Sequence, residues 1–590
     1  MQVSGAIWGR NLNQSKRLFY LFLLLIFCFG QVGCQSNSVK NAELKQSSKA
    51  MVVSADPLAT AAGVEILKKG GNAIDVAVAT TFAISVVEPF SAGIGGGGFL
   101  LVGFPPSDTT SAYTIQALDF RERAPKAATQ NMYLDESGNV KPRASLDGHL
   151  AAGVPGTVAG LYTVHRYYGQ LPWNQVLEPA IRLAEEGFKV GDYFVNSLQR
   201  RQTVIINNPA ARAIFTKDGA MYQPGEVLKQ QDLAETLKKI AQDPQQFYTG
   251  DIARAIATDM KANGGLITTE DLAAYTPIWR EPVCGEFQQA RVCSMPPPSS
   301  GGVHLLQILS LIEDTDLNNW GRNSPETLHL LTEAMRIAYA DRAEYLGDPD
   351  FVEVPVRALT SPNYINAQRQ QIDLKKARPS DSVKPIDEAT LQRYIWESPE
   401  TSHLTVVDQN RNVVSLTFTV NGGFGAGVVA ANTGILLNNE MDDFAVAPGV
   451  PNLFGLVGGE ANAIAPFKTP LSSMTPTIVT QNGNLIMAAG SPGGSTIITT
   501  VLQLVLNVLE FKMNAAEAVS APRIHHQWLP DTLLIEQGGF KDQTLETLKQ
   551  RGHQLKQQNG WGNANLIRVT PDGILEGAAD PRREGAAQGF

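Results

Sequence analysis

Apolar residues recur at helical spacing from Leu58 to Gly71 and stop at Gly70-Gly71, a signal for a helix C-terminus. Asn72 to Val87 is predominantly apolar and predicts a second, mostly buried helix. Phe99-Leu100-Leu101-Val102 predicts a strand. A helix opens after Ala152-Gly153-Val154-Pro155-Gly156-Thr157 and ends near Tyr168-Gly169. Helical periodicity dominates from Val176 to Arg342, broken by a hairpin between Cys284 and Cys293. Pro296 to Gly302 reads as a rigid turn before a helix over Val303 to Ile312. Late in the chain, Ser495-Thr496-Ile497-Ile498 begins a strongly apolar helix that runs to about Leu509.

The most informative pattern lies around Thr401. Ser398-Pro399-Glu400 reads as exposed loop. From Thr401 to Asp408 the residues are largely β-branched or aliphatic, and Val413 to Val420 repeats the pattern. Gln409-Asn410-Arg411-Asn412 lies between them, so the pair predicts a β-hairpin. With Gln409 to Arg411 as the loop, Asp408 faces Asn412 and Thr401 faces Thr419. A slip of one residue would bring Val420 opposite Thr401 instead. A threonine at a strand start, just after a loop, is an ordinary strand residue or a nucleophile. If the Glu400–Thr401 bond breaks, Thr401 gains an α-amine with a pKa near ~8, a general base on the same residue as the hydroxyl.

The chain has 590 residues, 43% hydrophobic and 18% charged, which suits a large globular protein. A net charge of −9 without a basic cluster argues against a nucleic-acid partner. Arg10, Lys16 and Arg17 precede an apolar run from Leu18 to Gly30, too short to span a bilayer and matched to a secretory signal. It ends at Val32-Gly33-Cys34, so residues 1–34 predict a lipoprotein-type signal with Cys34 lipidated, or simple secretion. Residues 35–50 read as a polar tether. The expected location is outside the cytoplasm, in the periplasm, with a possible lipid anchor. Cys284 and Cys293 would be opposite each other in a hairpin turning at Gln288-Gln289. Export makes a disulfide between them available, against two buried thiols.

Ser91 to Phe99 contains G-x-G-x-x-G, yet a strand follows where a dinucleotide site needs a helix, so its glycines predict close backbone packing. Arg121, after a strand-like run, reads either as a surface salt-bridge residue, the commoner fate, or as a planar fork that suits a carboxylate. Glu440 and Asp443 are spaced so that a helical turn would put both on one side, either as a solvated acidic turn or as a site suited to an ammonium group. Gly493 and Gly494 at a helix start suit an anion or form a plain N-terminal turn. His525-His526 has no ligand spacing around it and reads as structural; neither H-E-x-x-H nor G-x-S-x-G occurs. No metal and no cofactor is expected.

Several motifs in order resemble the γ-glutamyltranspeptidases (glutathione hydrolases). These are Thr401-Ser402-His403 with Val406-Val407-Asp408, Leu437 to Phe444, Pro470 to Met474 and Gly490 to Ser495, within a similarity from about Met51 to the C-terminus. The resemblance implies an α+β N-terminal-nucleophile hydrolase, a four-layer αββα sandwich. It implies autocleavage between Glu400 and Thr401, giving a large subunit (51–400) and a small one (401–590) interleaved as a heterodimer. Lys375 to Glu400 would be the segment that moves away. The resemblance makes Thr401 catalytic, with glutathione and other γ-glutamyl compounds as donors and water or amino acids as acceptors. It assigns Arg121, Ser472 and Ser473 to the substrate carboxylate, with Arg123 a weaker candidate. Glu440 and Asp443 go to the ammonium, and Gly493 and Gly494 to the oxyanion. Thr419 would hold the nucleophile and Asn421, on the same strand face, would orient substrate. The loop from Pro448 to Gly459 would be a lid, with Phe454 where relatives often carry tyrosine. The rival readings are a β-lactam side-chain acylase (glutaryl or cephalosporin type) and a non-catalytic tethered binding lipoprotein.

Overall fold

A computed structural model describes residues 41–107, 111–383, 400–447 and 449–590. The signal sequence with Cys34, the start of the tether, most of the segment before Glu400, and Pro448 lie outside the described residues.

Two seven-stranded sheets form the centre. In chain order their strands are β1 (Lys45–Ser47), β2 (Met51–Ser54), β3 (Gly97–Phe104), β4 (Thr114–Phe120), β5 (Ile278–Arg280), β6 (Val283–Phe287) and β7 (Ala290–Ser294). After Glu400 come β8 (Ser402–Val407), β9 (Val413–Thr419), β10 (Thr477–Gln481), β11 (Asn484–Gly490), β12 (Asn565–Val569), β13 (Leu575–Ala579) and β14 (Ala586–Gly589). The first sheet runs β14-β2-β8-β9-β3-β4-β5 and the second β1-β13-β12-β11-β10-β7-β6, every pair antiparallel. Each sheet therefore mixes strands from both sides of Glu400. The interleaving implied by the resemblance is visible in that strand order.

The sheets stack face to face and helices cover both outer faces, an αββα sandwich. Helices α1 (Pro57–Lys68), α2 (Ala73–Val87), α3 (Thr157–Tyr168), α4 (Trp173–Glu186) and α5 (Asp192–Arg200) lie on the side of the first sheet. Helices α6 (Gly301–Ile312), α7 (Pro325–Tyr345) and α8 (Thr496–Leu509) lie on the side of the second. Strand alternation sets the layers. Leu404, Val406, Val414, Leu416 and Phe418 pack in one cluster with the α2 side chains. Val407 and Val413, of opposite parity, join Phe99, Leu101, Ile478 and Met487 in the other. A central strand buried on both faces needs this nearly continuous apolar run.

The predicted hairpin register holds. Ser402 pairs with Phe418 and Val407 with Val413, and Asp408 N donates to Asn412 O at 3.0 Å. Asp408 fixes the turn, its carboxylate accepting from Asn410 N at 2.9 Å and Asn412 N at 3.0 Å. Arg411 takes a left-handed conformation (φ 65°) to close it. Cys284 also faces Cys293, and the two form a disulfide across a Gln288-Gln289 turn. Closing so short a loop contributes about 2.5–3 kcal/mol in the chain-entropy treatment. Replacing both cysteines with serine is expected to lower the urea-unfolding free energy by about that amount. Mass spectrometry of the unreduced protein is expected to find neither thiol free.

The glycine run packs closely against neighbouring backbone. A Cβ on Gly96 would meet Thr419 O at 1.9 Å, and one on Gly97 would meet Glu122 Oε2 at 2.7 Å. These glycines let β3 approach the end of β9 and the Arg121-Glu122 corner. The Pro296–Gly302 turn is structural: Ser300 N and Oγ both donate to Ser472 O, at 2.9 and 2.8 Å. No helix among the described residues is long and apolar enough to cross a membrane.

Candidate functional site

Thr401 stands just ahead of β8, with its bond to Glu400 in place. Its Oγ1 donates to Glu400 O at 2.6 Å. Thr419 Oγ1 lies 3.2 Å from Thr401 Oγ1 and also donates to Glu400 O, at 3.1 Å. Asn421 N donates to Thr419 Oγ1 at 2.8 Å, and Ser91 Oγ holds Thr401 O at 2.7 Å. Both carbonyls flanking the Thr401 α-carbon are therefore held by hydroxyls. A hydroxyl pressed against the preceding carbonyl is arranged to attack that group. Asn421 departs from expectation in one respect. Strand β9 ends at Thr419, and Asn421 turns left-handed (φ 75°), its amide donating to Asn439 O at 3.0 Å. It reaches the site from the turn, not from a strand face.

The neighbours of Thr401 point elsewhere. Ser402 Oγ contacts Glu88 Oε2 at 3.1 Å on the opposite side of the strand. His403 sits between Thr417 Oγ1 at 2.8 Å and Thr405 Oγ1 at 3.0 Å, against Gly490, where a Cβ would strike the ring at 2.3 Å. Burial lowers His403 to about 3, so it stays neutral.

Glu88 is wholly buried, and burial, helped by Asp56, pushes it up to about 8 from an ordinary 4.5. The folded state thus binds this proton more tightly than the unfolded chain. The stability it contributes is complete below about pH 4.5 and is lost as pH rises toward about 8, at no more than about 1.4 kcal/mol per unit. Glu88→Gln is expected to flatten the fall in melting temperature between pH 5 and 8 relative to the parent, measured by scanning calorimetry.

Every residue predicted to touch substrate, apart from Gly493 and the weaker candidate Arg123, lines one small cavity with Thr401. Arg121 follows β4 directly and is 1% exposed. It ion-pairs with Glu440, with Asp443 Oδ2 at 2.5 Å and, more loosely, with Glu122 Oε2 at 3.7 Å. Glu440 to Asp443 form one 3-10 turn, which puts both carboxylates on the arginine. Asn438 braces that turn, its Oδ1 accepting from Glu440 N at 2.9 Å while its amide donates to Gly95 O at 2.9 Å. Burial raises the Glu440 carboxyl far above its usual range, and Glu122 to about 7, with Arg121 opposing both shifts. Asp443 is raised for the same reason. Ser472 Oγ accepts from Met474 N at 3.1 Å, and Ser473 Oγ lies 3.5 Å from Arg342 Nη2.

The cavity has a volume of about 20 Å³, room for little more than one water. Phe454 and Leu456 cap it. Phe454 covers the pocket by packing, as its lack of a phenolic hydroxyl requires: a Cβ on Gly494 would meet its ring at 2.4 Å. The loop is tied to the acidic turn, since Asn452 Nδ2 donates to Asp443 Oδ1 at 3.0 Å and Leu453 N to Asp442 Oδ2 at 2.7 Å. Gly493 sits one residue behind the wall, its carbonyl starting α8 by accepting from Thr496 N at 3.0 Å. Arg123 is not part of the site; it donates to Thr276 O at 2.8 Å and lies over the Tyr275 ring.

The pattern of the family described as Gamma-glutamyltranspeptidase matches residues 59–590. The chain belongs to the γ-glutamyltranspeptidase family. The glutathione hydrolase proenzyme of Escherichia coli (strain K12) is 48% identical over 539 residues, covering 91% of each chain. A cephalosporin acylase structure from Bacillus halodurans aligns with a TM-score of 0.81 at 28% identity, over 94% of this chain and 98% of that one. The Helicobacter pylori γ-glutamyltranspeptidase structure aligns at 0.54 and 42% identity, over 59% of this chain and 96% of that one. The protein is thus an enzyme with the N-terminal-nucleophile hydrolase fold.

Two charged residues of this γ-glutamyltranspeptidase-family site escaped the sequence reading. Glu122 adjoins Arg121 and is fully buried. Arg342 comes from α7, is 4% exposed, and burial lowers it to about 10. Only burial marks it: α7 carries Glu333, Arg336, Asp341 and Arg342 among buried apolar residues. Among the described residues, His329, Glu333 and His553 bring metal-type side chains together. The two histidines hydrogen-bond to each other at 2.7 Å, and Arg336 already neutralises Glu333 at 3.4 Å. His525 and His526 are structural, bonded to Thr499 at 2.8 Å and Asp531 at 3.1 Å.

Proposed function

We propose that this enzyme cleaves itself between Glu400 and Thr401 and then transfers γ-glutamyl groups from glutathione to water or to amino acid acceptors. The observation that carries the reading is the contact of Thr401 Oγ1 with the Glu400 carbonyl, beside a cavity holding Arg121, Glu440 and Asp443. In the self-cleavage, Thr401 Oγ attacks the Glu400 carbonyl carbon. The C–N bond breaks, the hydroxyl proton passes to the Thr401 nitrogen, and an ester remains. Water hydrolyses the ester, leaving a carboxylate on Glu400 and a free amine and hydroxyl on Thr401.

In turnover the Thr401 amine takes the hydroxyl proton while the oxygen attacks the γ-amide carbonyl. Arg121, Ser472 and Ser473 hold the substrate α-carboxylate, and Glu440 and Asp443 take its ammonium. Amides at Gly493 and Gly494 receive the oxyanion. The protonated amine donates to the leaving nitrogen, and water or an acceptor amine then takes the acyl group from the ester. Glutathione cannot enter a cavity of about 20 Å³, so the Phe454 loop must open and Arg121 must loosen from its carboxylates. The residue 1–34 signal supports export, and Cys34 supports a lipid anchor in the periplasm. The two fragments, 51–400 and 401–590, remain together through their shared sheets.

Release of chromophore from γ-glutamyl and glutaryl anilides tests the substrate. The glutaryl compound lacks the ammonium that Glu440 and Asp443 would bind. The γ-glutamyl anilide is expected to react with a kcat/KM at least about a hundredfold higher, the value of one well-paired buried charge. Equal rates would favour an acylase, and no release from either a binding protein.

A further inference from the structure

We propose that the side chain of Glu400 is a recognition element of self-cleavage, gripped by a clamp of Tyr193, Arg200 and Arg583 that fixes its carbonyl against Thr401. The inference rests on the self-cleavage reading above.

Glu400 is 1% exposed, which corrects at this residue the expectation that Ser398-Pro399-Glu400 is exposed loop. Its Oε1 accepts from Tyr193 Oη at 2.9 Å and lies 3.3 Å from Arg200 Nη2. Its Oε2 accepts from Arg583 Nη1 at 3.0 Å. The Arg583 guanidinium lies 4.4 Å from the centre of the Tyr193 ring, and that of Arg200 lies 5.8 Å from it. Tyr193, Ser197 and Arg200 sit at i, i+4 and i+7 on α5, one face of one helix. Ser197 Oγ accepts from Arg200 at 2.8 Å, and Phe90 braces the tyrosine ring at 5.4 Å. Arg583 arrives from the opposite end of the chain, just before β14.

A carboxylate this deeply buried is tolerated only when paired and hydrogen-bonded. Three donors meet that need, and none of them lines the Arg121 cavity. Glu400 is therefore held at two points. The clamp fixes the end of its side chain, and the Thr401 and Thr419 hydroxyls hold its carbonyl oxygen. Between those anchors the scissile carbonyl has little freedom to turn away from Thr401 Oγ1, the condition for fast intramolecular attack. Tyr193, Arg200 and Arg583 are thus positioning residues for the first bond the enzyme breaks, and glutamate before Thr401 is a specific choice.

The test follows full-length precursor made by cell-free synthesis, with conversion to two fragments timed on denaturing gels after translation is stopped. Glu400→Gln and Arg583→Gln are each expected to slow conversion at least about tenfold in precursor that still folds by circular dichroism, with a lowered melting temperature because a buried pair is broken. Combining them is expected to slow it no further than the slower single change, because each removes the same pairing. Arg583→Lys is expected to recover part of the rate. Conversion of both single variants at the parental rate, with Thr401→Ala uncut, would overturn the clamp and leave self-cleavage standing. Fully multiplicative slowing in the double variant would overturn it as well. Cleavage of Thr401→Ala at the same bond would remove both readings together.

Discussion

Thr401→Ala is expected to remain a single chain and to release no chromophore from γ-glutamyl anilide, a loss of at least about 10⁴-fold. The magnitude follows from one residue holding two roles. On the proposed reading the hydroxyl is the attacking atom, and the amine that activates it exists only after the hydroxyl has cut the chain. Losing the oxygen therefore removes the nucleophile and the general base at once. Thr401→Ser keeps both groups and is expected to process and turn over at a reduced rate, since only the methyl that fixes the hydroxyl rotamer is lost. Denaturing gels and amino-terminal sequencing read the outcome, and the parent's small fragment is expected to begin Thr-Ser-His. Ser402 offers no substitute nucleophile, because its hydroxyl faces Glu88 across the strand. Two bands from Thr401→Ala would refute the assignment.

Arg121→Leu is expected to lower kcat/KM for γ-glutamyl anilide by about 10³-fold or more and to destabilise the fold by about 3–5 kcal/mol. The arginine serves two purposes. In the closed cavity it neutralises Glu440 and Asp443, and with substrate bound its fork would meet the α-carboxylate. Removing it leaves Glu122, Glu440 and Asp443 buried, with Arg342 acting on Asp443. Their carboxyls already titrate above the usual range because they are buried, and Arg121 restrains the shift. Without it they rise further. A raised carboxyl stabilises the fold fully only below its unfolded value, 4.5 for the glutamates and 3.8 for Asp443, and loses that contribution as pH rises. The deficit of Arg121→Leu is therefore expected to be small near pH 4.5 and to grow toward pH 8. Arg121→Lys keeps the charge without the planar fork, so its stability is expected to recover more than its activity. A pH-independent deficit would show that the carboxylates are not the source.

Much of the site was legible because its pieces are local. The pairing of Thr401 with Thr419 follows from the three-residue turn and from Asp408, which closes that turn with two hydrogen bonds. The shared face of Glu440 and Asp443 follows from their spacing, and the disulfide from a two-residue turn between the cysteines. Asn421 was misjudged because strand periodicity was carried past the end of β9, and a positive φ leaves no trace in an apolar pattern. Glu122 and Arg342 were passed over for another reason. Charged residues beside a strand or on a long helix are ordinarily solvated, and only burial marks these as part of the site.

The sequence by itself determined the hairpin and its register, the helices that flank the sheets, and the kind of chemistry Thr401 can do. These depend on neighbours a few residues apart, where alternation, helical spacing and turn residues act directly. The tertiary structure alone decided that Arg121 meets Asp443, 322 residues away, and that Arg583 meets Glu400 across 183. Such contacts arise because two sheets and their helices must bury their apolar faces together. That packing draws charged side chains from distant segments into one dry space, where they must neutralise one another.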